Sequence, residues 1–561
     1  MKIKGRNAVK YVQTAVIAVL VVSLISLCGM YVYTENDSDA ASLPAFPDGH
    51  MHLLSKDASL IMKSGNSGFV SPSFVFLTDE NGTSYGGFGG SDGGKTVWTE
   101  FERVLTLLSD CDIEKKSFSD KNEAFDYIDG LYFSTDKYYC EFANPLPLAA
   151  IAVFFENTYN DSIIYKESFF AKSMIMTGDA NEEVYLYIIS EDGEVIAAKP
   201  KTALKFNYDP IENPTDAGLE KVSAQISESA RENGITGFVP VFAGVKNVSP
   251  VYRENFSDKF DISAESENVS DIVSSFGMNS NNTNRYTSHN GTVGYVENSG
   301  ELKISPDGVI TFESDRNGGV AMSKILGYLP EDIEKNTYGF SDTVGAVCSV
   351  LEALGTTVLG GEAELVLEYV GYDSTTELTS FGFGYYIGGV KIRTARENGA
   401  DSDETYDAYF SFSDTALVGA KVTGAVFAST NGSYSDIPQT AALAAAKSDG
   451  KPLVRLYAEY VSRDGTEYLP EWTAEYTPHD CGTYPICCGN VYGSGGMPVE
   501  ECGNMLITVA AVCRAEHSTA FAEAYHDLLK KWADYLLKNG YDPDEQLCTD
   551  DFAGHLSHNC N

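Results

Sequence analysis

Near the end of the chain, one short loop contains the residue types that amide hydrolysis requires. That reaction needs a nucleophile or an activated water, a group that carries a proton, and donors for the developing oxyanion. Asp550 or Asp551 can orient a water, His555 can carry the proton, and Cys548 can act as a nucleophile. The alternative roles are structural: Asp550 caps a helix, Asp551 fixes the loop, and Cys548 packs in a core.

A second polar loop contains His479 and Asp480, followed by the aromatic Tyr484. A His–Asp pair can transfer protons or can simply fix the shape of a loop, and the sequence leaves both roles open. Glu500 and Glu501 are paired carboxylates of the kind that glycosidases use. Both lie in the first turn of a predicted helix, so we favour compensation of the helix dipole as their role.

Metal and cofactor sites are not predicted. Cys548, His555, His558 and Cys560 are zinc-ligand types, but their spacing is not that of a zinc finger. The glycine-rich run at 86–95 lacks the spacing of a phosphate-binding loop, and we expect a flexible hairpin tip there.

Two predicted helices separate the two polar loops. The first spans 497–516 and begins at Pro498, a residue favoured at the first position of a helix. The second spans 518–539, with Ser518 as its N-cap and Gly540 as its stop signal.

Upstream of residue 477 the sequence predicts α+β structure. We divide it into an α/β domain at 43–240, a polar segment with a three-stranded β meander at 241–315, and an α/β domain at 316–476. The turn Glu191-Asp192-Gly193 and the pair Gly388-Gly389 predict β-hairpins. Residues 221–233 predict a helix, and the polar composition of 254–290 predicts a loop.

Charge excludes one class of partner. The chain has 561 residues, 43% of them hydrophobic, and 80 acidic against 39 basic residues give a net charge of −41. Such a chain repels phosphate backbones, so it does not bind nucleic acid.

The N-terminus predicts the compartment. Basic residues precede a charge-free run at 11–34 that is long enough to span a bilayer, and acidic residues follow it. We therefore predict a cytoplasmic tip and single-pass anchor at 1–35, with the bulk of the chain outside the cytoplasm. A cleaved signal peptide and secretion are the alternative.

Seven of the 11 cysteines lie in the last 81 residues, and we favour small buried residues over disulfides for them.

The segment 477–561 closely resembles the glutaminase A family. The resemblance rests on PHDCGTYP at 478–485, GGMPVEECGNML at 495–506, WADYL at 532–536 and QLCTDDFAGHLSHN at 546–559. It implies part of an α/α toroid of six helical hairpins, with a pocket formed by loops at one end. It also makes Asp550, Asp551, His555, His479 and Asp480 the candidate catalytic residues. Since a site needs a preorganised surround, we expect this segment alone to be inactive.

Residues 1–476 more weakly resemble YycH/YycI-type regulators of sensor histidine kinases. The resemblance rests on one N-terminal membrane helix, FANPLPL at 142–148, FGMNSNNTNRYT at 276–287, the meander that follows, and YLPEW at 468–472. It implies a membrane-tethered, non-enzymatic protein that acts through protein contacts.

Together these features predict a membrane-anchored, extracytoplasmic regulator that carries a truncated glutaminase-type segment. Its expected partner is a membrane protein such as a sensor kinase. The alternative is a glutaminase-type amidohydrolase that converts glutamine to glutamate and ammonia, for which glutamine is a ligand only if the C-terminal domain is complete.

Overall fold

The computed structural model describes residues 66–539 with internal gaps, so 1–65 and 540–561 lie outside the described residues. The gaps are 79–81, 134–136, 158–161, 167, 180, 208–209, 212, 227–237, 243–246, 255–261, 264–265, 282–283, 316–317, 330–337, 356–359, 395–405, 431, 433, 436–441, 443–452, 463–464, 477–497 and 516–517.

The strands of the first half of the chain form one antiparallel sheet. Their bounds are β1 Phe74–Thr78, β2 Ser84–Phe88, β3 Cys111–Lys115, β4 Lys137–Pro147, β5 Phe170–Gly178, β6 Val184–Ile189, β7 Val195–Pro200, β8 Glu220–Ile226 and β9 Phe238–Phe242. Across the described residues, their order in the sheet is β3-β7-β6-β5-β4-β1-β2-β8-β9. The predicted turn between β6 and β7 is confirmed, and Gly193 adopts a φ of 94° there, which suits glycine.

Helices cover this sheet. Their bounds are α1 Asp92–Leu105, α2 Lys121–Tyr132, α3 Leu148–Phe154 and α4 Ile163–Lys166. Ser91 begins α1 because its hydroxyl accepts a hydrogen bond from the backbone N–H of Gly94 at 3.1 Å. The apolar side of α1 packs against β1 and β2. It buries residues at helical spacing, namely Val97, Trp98, Phe101, Val104 and Leu105.

The predicted helix at 221–233 is wrong over its described part. Residues up to Ile226 form strand β8, in which Val222 pairs with Phe242 of β9 and Lys221 pairs with Tyr85 of β2. Pairing on both sides of the strand outweighs the local preference for a helix.

A second, larger sheet follows. Its strands and two short partners have the bounds β10 Asn247–Val248, β11 Val251–Glu254, β12 Arg285–Thr287, β13 Val293–Glu297, β14 Gly300–Ile304, β15 Val309–Ser314, β16 Val320–Ala321, β17 Gly360–Gly361, β18 Glu364–Asp373, β19 Leu378–Ile387, β20 Val390–Arg393, β21 Ala408–Phe412, β22 Ala416–Thr423, β23 Val426–Ser429, β24 Tyr434–Ser435, β25 Leu453–Val461 and β26 Glu467–Tyr476. The main path runs β12-β13-β14-β15-β22-β21-β19-β20-β25-β26-β11-β23-β17. Strand β16 pairs with β22, β18 pairs with β19, and β10 pairs with β24 apart from this sheet.

The predicted meander is confirmed as β13, β14 and β15. Because β15 pairs with β22, the meander and the strands that follow residue 316 belong to one sheet. The pair Gly388-Gly389 forms the predicted turn, with φ values of 59° and 84°.

The prediction of a loop at 254–290 is wrong in its centre. Helix α5 spans Glu267–Ser275, and Ser266 caps it by accepting a hydrogen bond from the N–H of Val269 at 3.2 Å. This helix buries Val269, Ile272 and Val273, so three well-spaced apolar residues suffice within a polar stretch.

Helices contribute to the contact between the two sheets, and strand β18 also contacts β4 directly. Helix α6 spans Met322–Leu326 and α7 spans Phe340–Gly355. Helix α7 contacts α5, α6 and α3. The phenyl rings of Phe69 and Phe383 meet edge to face, with centroids 5.8 Å apart. One continuous hydrophobic core therefore joins the two sheets.

The glycine-rich run at 86–95 is not a hairpin tip. Its first part belongs to β2 and its last part to α1. A Cβ atom on Gly90 would lie 2.5 Å from the backbone of Gly388 and Gly389, so the glycines allow the two sheets to approach closely.

The two C-terminal helices of the prediction are present, with one difference. Helix α8 spans Pro498–Ala515, as expected. The second predicted helix is divided at Tyr525 into α9 Ala520–Ala524 and α10 His526–Asn539. Thr519, rather than Ser518, occupies the N-cap position, and its side chain makes no capping hydrogen bond.

The prediction of an α+β fold is confirmed by the two sheets and their helices. Within residues 66–539, outside the gaps given above, no helix is long and apolar enough to cross a membrane. The anchor predicted at 11–34 lies outside the described residues.

Candidate functional site

The helical hairpin of α8, α9 and α10 carries the loops with the predicted catalytic residues. His479 and Asp480 precede α8, whereas Asp550, Asp551 and His555 follow α10. All five lie outside the described residues, so the structure places none of their side chains.

The ends of this hairpin show where both loops attach. Cys502, near the start of α8, is close enough to Tyr535, near the end of α10, to interact with it electrostatically. The two helices are therefore antiparallel, and Pro498 and Asn539 lie at the same end of the hairpin. The two polar loops accordingly leave the hairpin from one end, with Glu500 and Glu501 in the adjacent first turn of α8.

The packing inside the hairpin is limited. Cys502, Leu506, Val509 and Cys513 of α8 recur at intervals of four and three residues on the side that is least exposed. Val509 is the buried hydrophobic residue among the described side chains of these helices. Partial burial of Tyr535, together with nearby Cys502, raises the pKa of the Tyr535 phenol.

Large apolar side chains of the hairpin face solvent. Ile507 on α8 is 70% exposed and Leu537 on α10 is 86% exposed. Met505, Phe521 and Tyr525 are each about 40% exposed. Helices with apolar residues on several sides are typically buried by more than one neighbour.

A cluster of buried charges lies in the second sheet, and no part of the sequence reasoning identified it. The Glu368 carboxylate accepts a hydrogen bond from the Tyr386 hydroxyl at 2.7 Å and from the Lys391 ammonium at 2.7 Å. The Glu368 side chain is 1% exposed. Burial and the adjacent carboxylate hold the pKa of Tyr386 well above its ordinary value, so this phenol remains a donor.

Asp407 is the second buried carboxylate of this cluster. It accepts hydrogen bonds from the backbone N–H of Tyr385 at 2.9 Å and from the Thr394 hydroxyl at 2.6 Å. Burial raises its pKa, and these two hydrogen bonds oppose that effect.

Glu459 is the third buried carboxylate. Its Oε2 lies 3.2 Å from Arg393 Nε, which is close enough for an ion pair but is not aligned as a hydrogen bond. The side chains of this cluster come from several different strands, namely β18, β19, β20 and β25, and from the segment before β21, so no single short motif contains them. The sequence signal was a charged residue inside an apolar strand, as in LVLEYV at 365–370.

The chemistry of this cluster is that of structural ion pairs. Glu368 and Glu459 are paired with Lys391 and Arg393, and Asp407 accepts hydrogen bonds from neutral groups. A carboxylate that accepts from both Lys391 and Tyr386 is not available as a base. In the part of the chain that the structure describes, no group of three or more His, Cys, Asp or Glu side chains is arranged to hold a metal ion.

Comparison with known proteins identifies the C-terminal segment. Residues 463–561 match the glutaminase A six helical-hairpin domain. Glutaminase A of Aspergillus oryzae is 39% identical over 88 residues, which cover 15% of this chain and 13% of that protein. No solved structure is significantly similar to the chain.

The match includes β26, which is paired in the second sheet, and all three helices of the hairpin. It does not extend to residues 1–462, and the resemblance to YycH/YycI-type regulators has no support from these comparisons. The resemblance to glutaminase A is confirmed for the C-terminal segment, since residues 463–561 match that family's six helical-hairpin domain.

Proposed function

We propose that the chain is an extracytoplasmic interaction protein with a folded α+β body and a C-terminal glutaminase A-type hairpin that is inactive by itself. The supporting observation is that the body and the hairpin pack separately among the described residues. Both hydrophobic clusters consist of residues before 477, whereas the described helices of the hairpin pack mainly against one another.

We expect no hydrolysis of glutamine because the hairpin is open to solvent. A catalytic pocket needs walls that exclude water and hold the reacting groups within a fraction of an ångström. Here the polar loops leave a hairpin whose apolar side chains, such as Ile507 and Leu537, are open to solvent. The described helices of the hairpin provide one side of a pocket.

A glutaminase-type amidohydrolase is the second candidate function. The observation in its favour is the match over 463–561, which includes both polar loops and the hairpin that brings their attachment points to one end. In this role Asp550 or Asp551 orients a water and His555 carries the proton to the leaving ammonia.

One assay separates the two candidates. Release of ammonia from glutamine is measured for the full chain, for Asp550→Asn and for Asp551→Asn. Asp534→Asn is the matched control, because Asp534 is an exposed residue of α10 that pairs with Lys530 at 2.6 Å. We expect the same background rate from all four proteins. Turnover that is lost in the first two variants and kept in the control would establish the glutaminase.

The interaction role has its own test. Cross-linking in membranes of the source cells should capture the same partner, such as a sensor kinase, with the full chain and with a chain that ends at Tyr476. Loss of the partner in the shorter chain would assign the contact to the hairpin and contradict the proposal.

A further inference from the structure

Two strands share one edge of β19, and Asp407 lies where the first ends and the second begins. Residues 379–383 of β19 pair with β21, and residues 386–387 pair with β20. Strand β18 pairs along the opposite edge, over residues 378–386. In the part of the chain that the structure describes, neither β20 nor β21 pairs with Gly384 or Tyr385.

Asp407 takes the place of the strand residue that would pair there. Its backbone N–H donates to the carbonyl of Phe383 at 2.9 Å, which continues the β21 ladder by one bond. Its carboxylate accepts the N–H of Tyr385 at 2.9 Å and the hydroxyl of Thr394, the residue after β20, at 2.6 Å. One carboxyl group thus joins β19, β20 and β21, and we call this place the Asp407 junction.

The charge of this carboxylate is poorly compensated. Asp407 is 5% exposed, and both groups that donate to its carboxylate are neutral. Lys391 acts on it from a distance but donates to Glu368 at 2.7 Å. Burial, together with the Glu368 charge, raises the pKa of Asp407 against the opposing effects of Lys391 and the two hydrogen bonds.

Other charged and titratable groups surround the junction. Burial holds the pKa of both neighbouring tyrosines above its ordinary value, so they stay neutral where a carboxyl group titrates. The contact from β22 is the N–H of Thr423, which donates to the backbone carbonyl of Asp407 at 2.7 Å. The charged and titratable groups that face the junction are Glu368 of β18, Tyr385 and Tyr386 of β19, Lys391 and Arg393 of β20, Glu459 of β25 and Arg253 of β11. Since Glu368 and Glu459 each pair with a cation, Asp407 is the carboxylate that gains most from a proton.

A proton on Asp407 removes the charge and keeps the junction. The oxygen that faces Tyr385 continues to accept its N–H. The other oxygen, once protonated, donates to the Thr394 hydroxyl, because a hydroxyl group both donates and accepts. Both hydrogen bonds therefore survive, while the cost of a buried charge disappears.

We propose that Asp407 is a proton-binding site through which mild acid strengthens the junction of β19, β20 and β21. The unfolded chain takes up this proton near the ordinary pKa of about 3.9. Between that value and the higher pKa of the folded state, the folded chain binds more protons, so falling pH adds stability from this group. That stability is lost as pH rises through the folded pKa. The proposal does not depend on the proposed function of the chain.

The first test is urea unfolding of the full chain at intervals from about pH 8 to about pH 4.5. Asp407→Asn imitates the protonated form, since its amide accepts from Tyr385 and donates to Thr394. At pH 8 its urea midpoint is expected to exceed that of the natural chain by at least about 0.2 M. The difference should close as pH falls, with a slope of up to about one proton. Asp112→Asn is the matched control, because Asp112 is an exposed carboxylate of β3, and this variant should keep the slope of the natural chain.

Hydrogen exchange of residues 385–394, corrected for the intrinsic effect of pH, is the local measurement. Protection in the natural chain is expected to rise at least about threefold from pH 8 to about pH 4.5, relative to residues 300–304 of the meander. In Asp407→Asn it should stay constant. Parallel urea midpoints of the two proteins across the pH range would overturn the proposal, and so would an equal rise in protection.

A second variant keeps the test decisive if Asp407→Asn does not fold. Glu368→Gln removes the neighbouring charge and frees Lys391 to compensate Asp407, so the protonated form loses its advantage. The rise in protection of residues 385–394 is then expected at a pH lower by about one or more. A rise at the same pH as in the natural chain would overturn the proposal.

Discussion

The buried ion pair of Glu368 and Lys391 shows what a single residue contributes inside the second sheet. The Glu368 side chain is 1% exposed and that of Lys391 is 16% exposed, so the carboxylate in particular depends on the lysine for compensation. The pair of Lys95 and Glu364 provides a comparison within the same protein. It spans 3.3 Å between side chains that are each more than half exposed.

Lys391→Met is expected to lower the free energy of unfolding by about 3–5 kcal/mol, since it leaves the Glu368 carboxylate buried beside a neutral tyrosine. Replacing both partners, as Glu368→Leu with Lys391→Met, should recover most of this loss. Lys95→Met should cost less than about 1 kcal/mol because water screens the exposed pair. Urea unfolding measures all three, and an equal loss in the two lysine variants would contradict the argument.

Lys137 is another buried charge, and an aromatic ring lies close to it. It is 3% exposed, and its ammonium lies 5.5 Å from the centre of the Phe76 ring. Burial lowers the pKa of Lys137 to about 8. The unfolded chain keeps this proton up to its ordinary pKa near 10.5, so between these values the unfolded state binds more protons than the folded state.

Stability should therefore rise with pH between about 8 and 10, by about 2 kcal/mol. Lys137→Met should be more stable than the natural chain at pH 7 and should lose this rise. Urea unfolding at pH 7 and pH 9.5 measures both effects, with the exposed Lys95→Met as the control. A rise of the same size in Lys137→Met would show that other groups cause it.

At the scale of elements, caps fix where the helices begin. The Ser91 hydroxyl accepts a hydrogen bond from the N–H of Gly94 and donates one to the carbonyl of Phe88 at 2.7 Å. It thus joins the end of β2 to the start of α1.

Ser91→Ala is expected to lower the free energy of unfolding by about 1 kcal/mol, because the helix loses its cap. Ser91→Thr keeps both hydrogen bonds and should stay close to the natural chain. Hydrogen exchange of the first turn of α1 provides a local measurement. Unchanged protection in Ser91→Ala would mean that packing alone holds this end of the helix.

Local chemistry explains which elements the sequence predicts. The turns at Gly193 and at Gly388-Gly389 depend on their own residues, so the hairpins were predicted correctly. Strand β8 and the glycine-rich run depend on distant neighbours, such as Phe242 for Val222 and Gly389 for Gly90. Glu368, Asp407 and Glu459 were missed for the same reason, since the sheet brings them together from separate strands. The glutaminase-type motifs are continuous in sequence, and this made them recognisable.

At the scale of the whole molecule, one core joins the two sheets, and none of the described residues of that core belongs to the hairpin. Buried residues of the main cluster run from Val70 to Tyr468, and Trp472 of β26 packs against the second cluster. Strand β26 pairs with β25 and β11, so it belongs to the body even though the glutaminase A match begins before it.

A chain that ends at Tyr476 should therefore keep the stability of the body. Its unfolding midpoint in urea is expected to match that of the full chain, because no side chain after this point belongs to either described cluster. A chain that ends at Ser462 is the control, since it also removes β26 and with it the pairing partner of β25 and β11. That chain should unfold at much lower urea, because β25 becomes an open edge and Trp472 leaves the second cluster. If both truncations destabilise the protein equally, the hairpin is part of the body's fold, and the division between an interaction body and a glutaminase A-type hairpin does not hold.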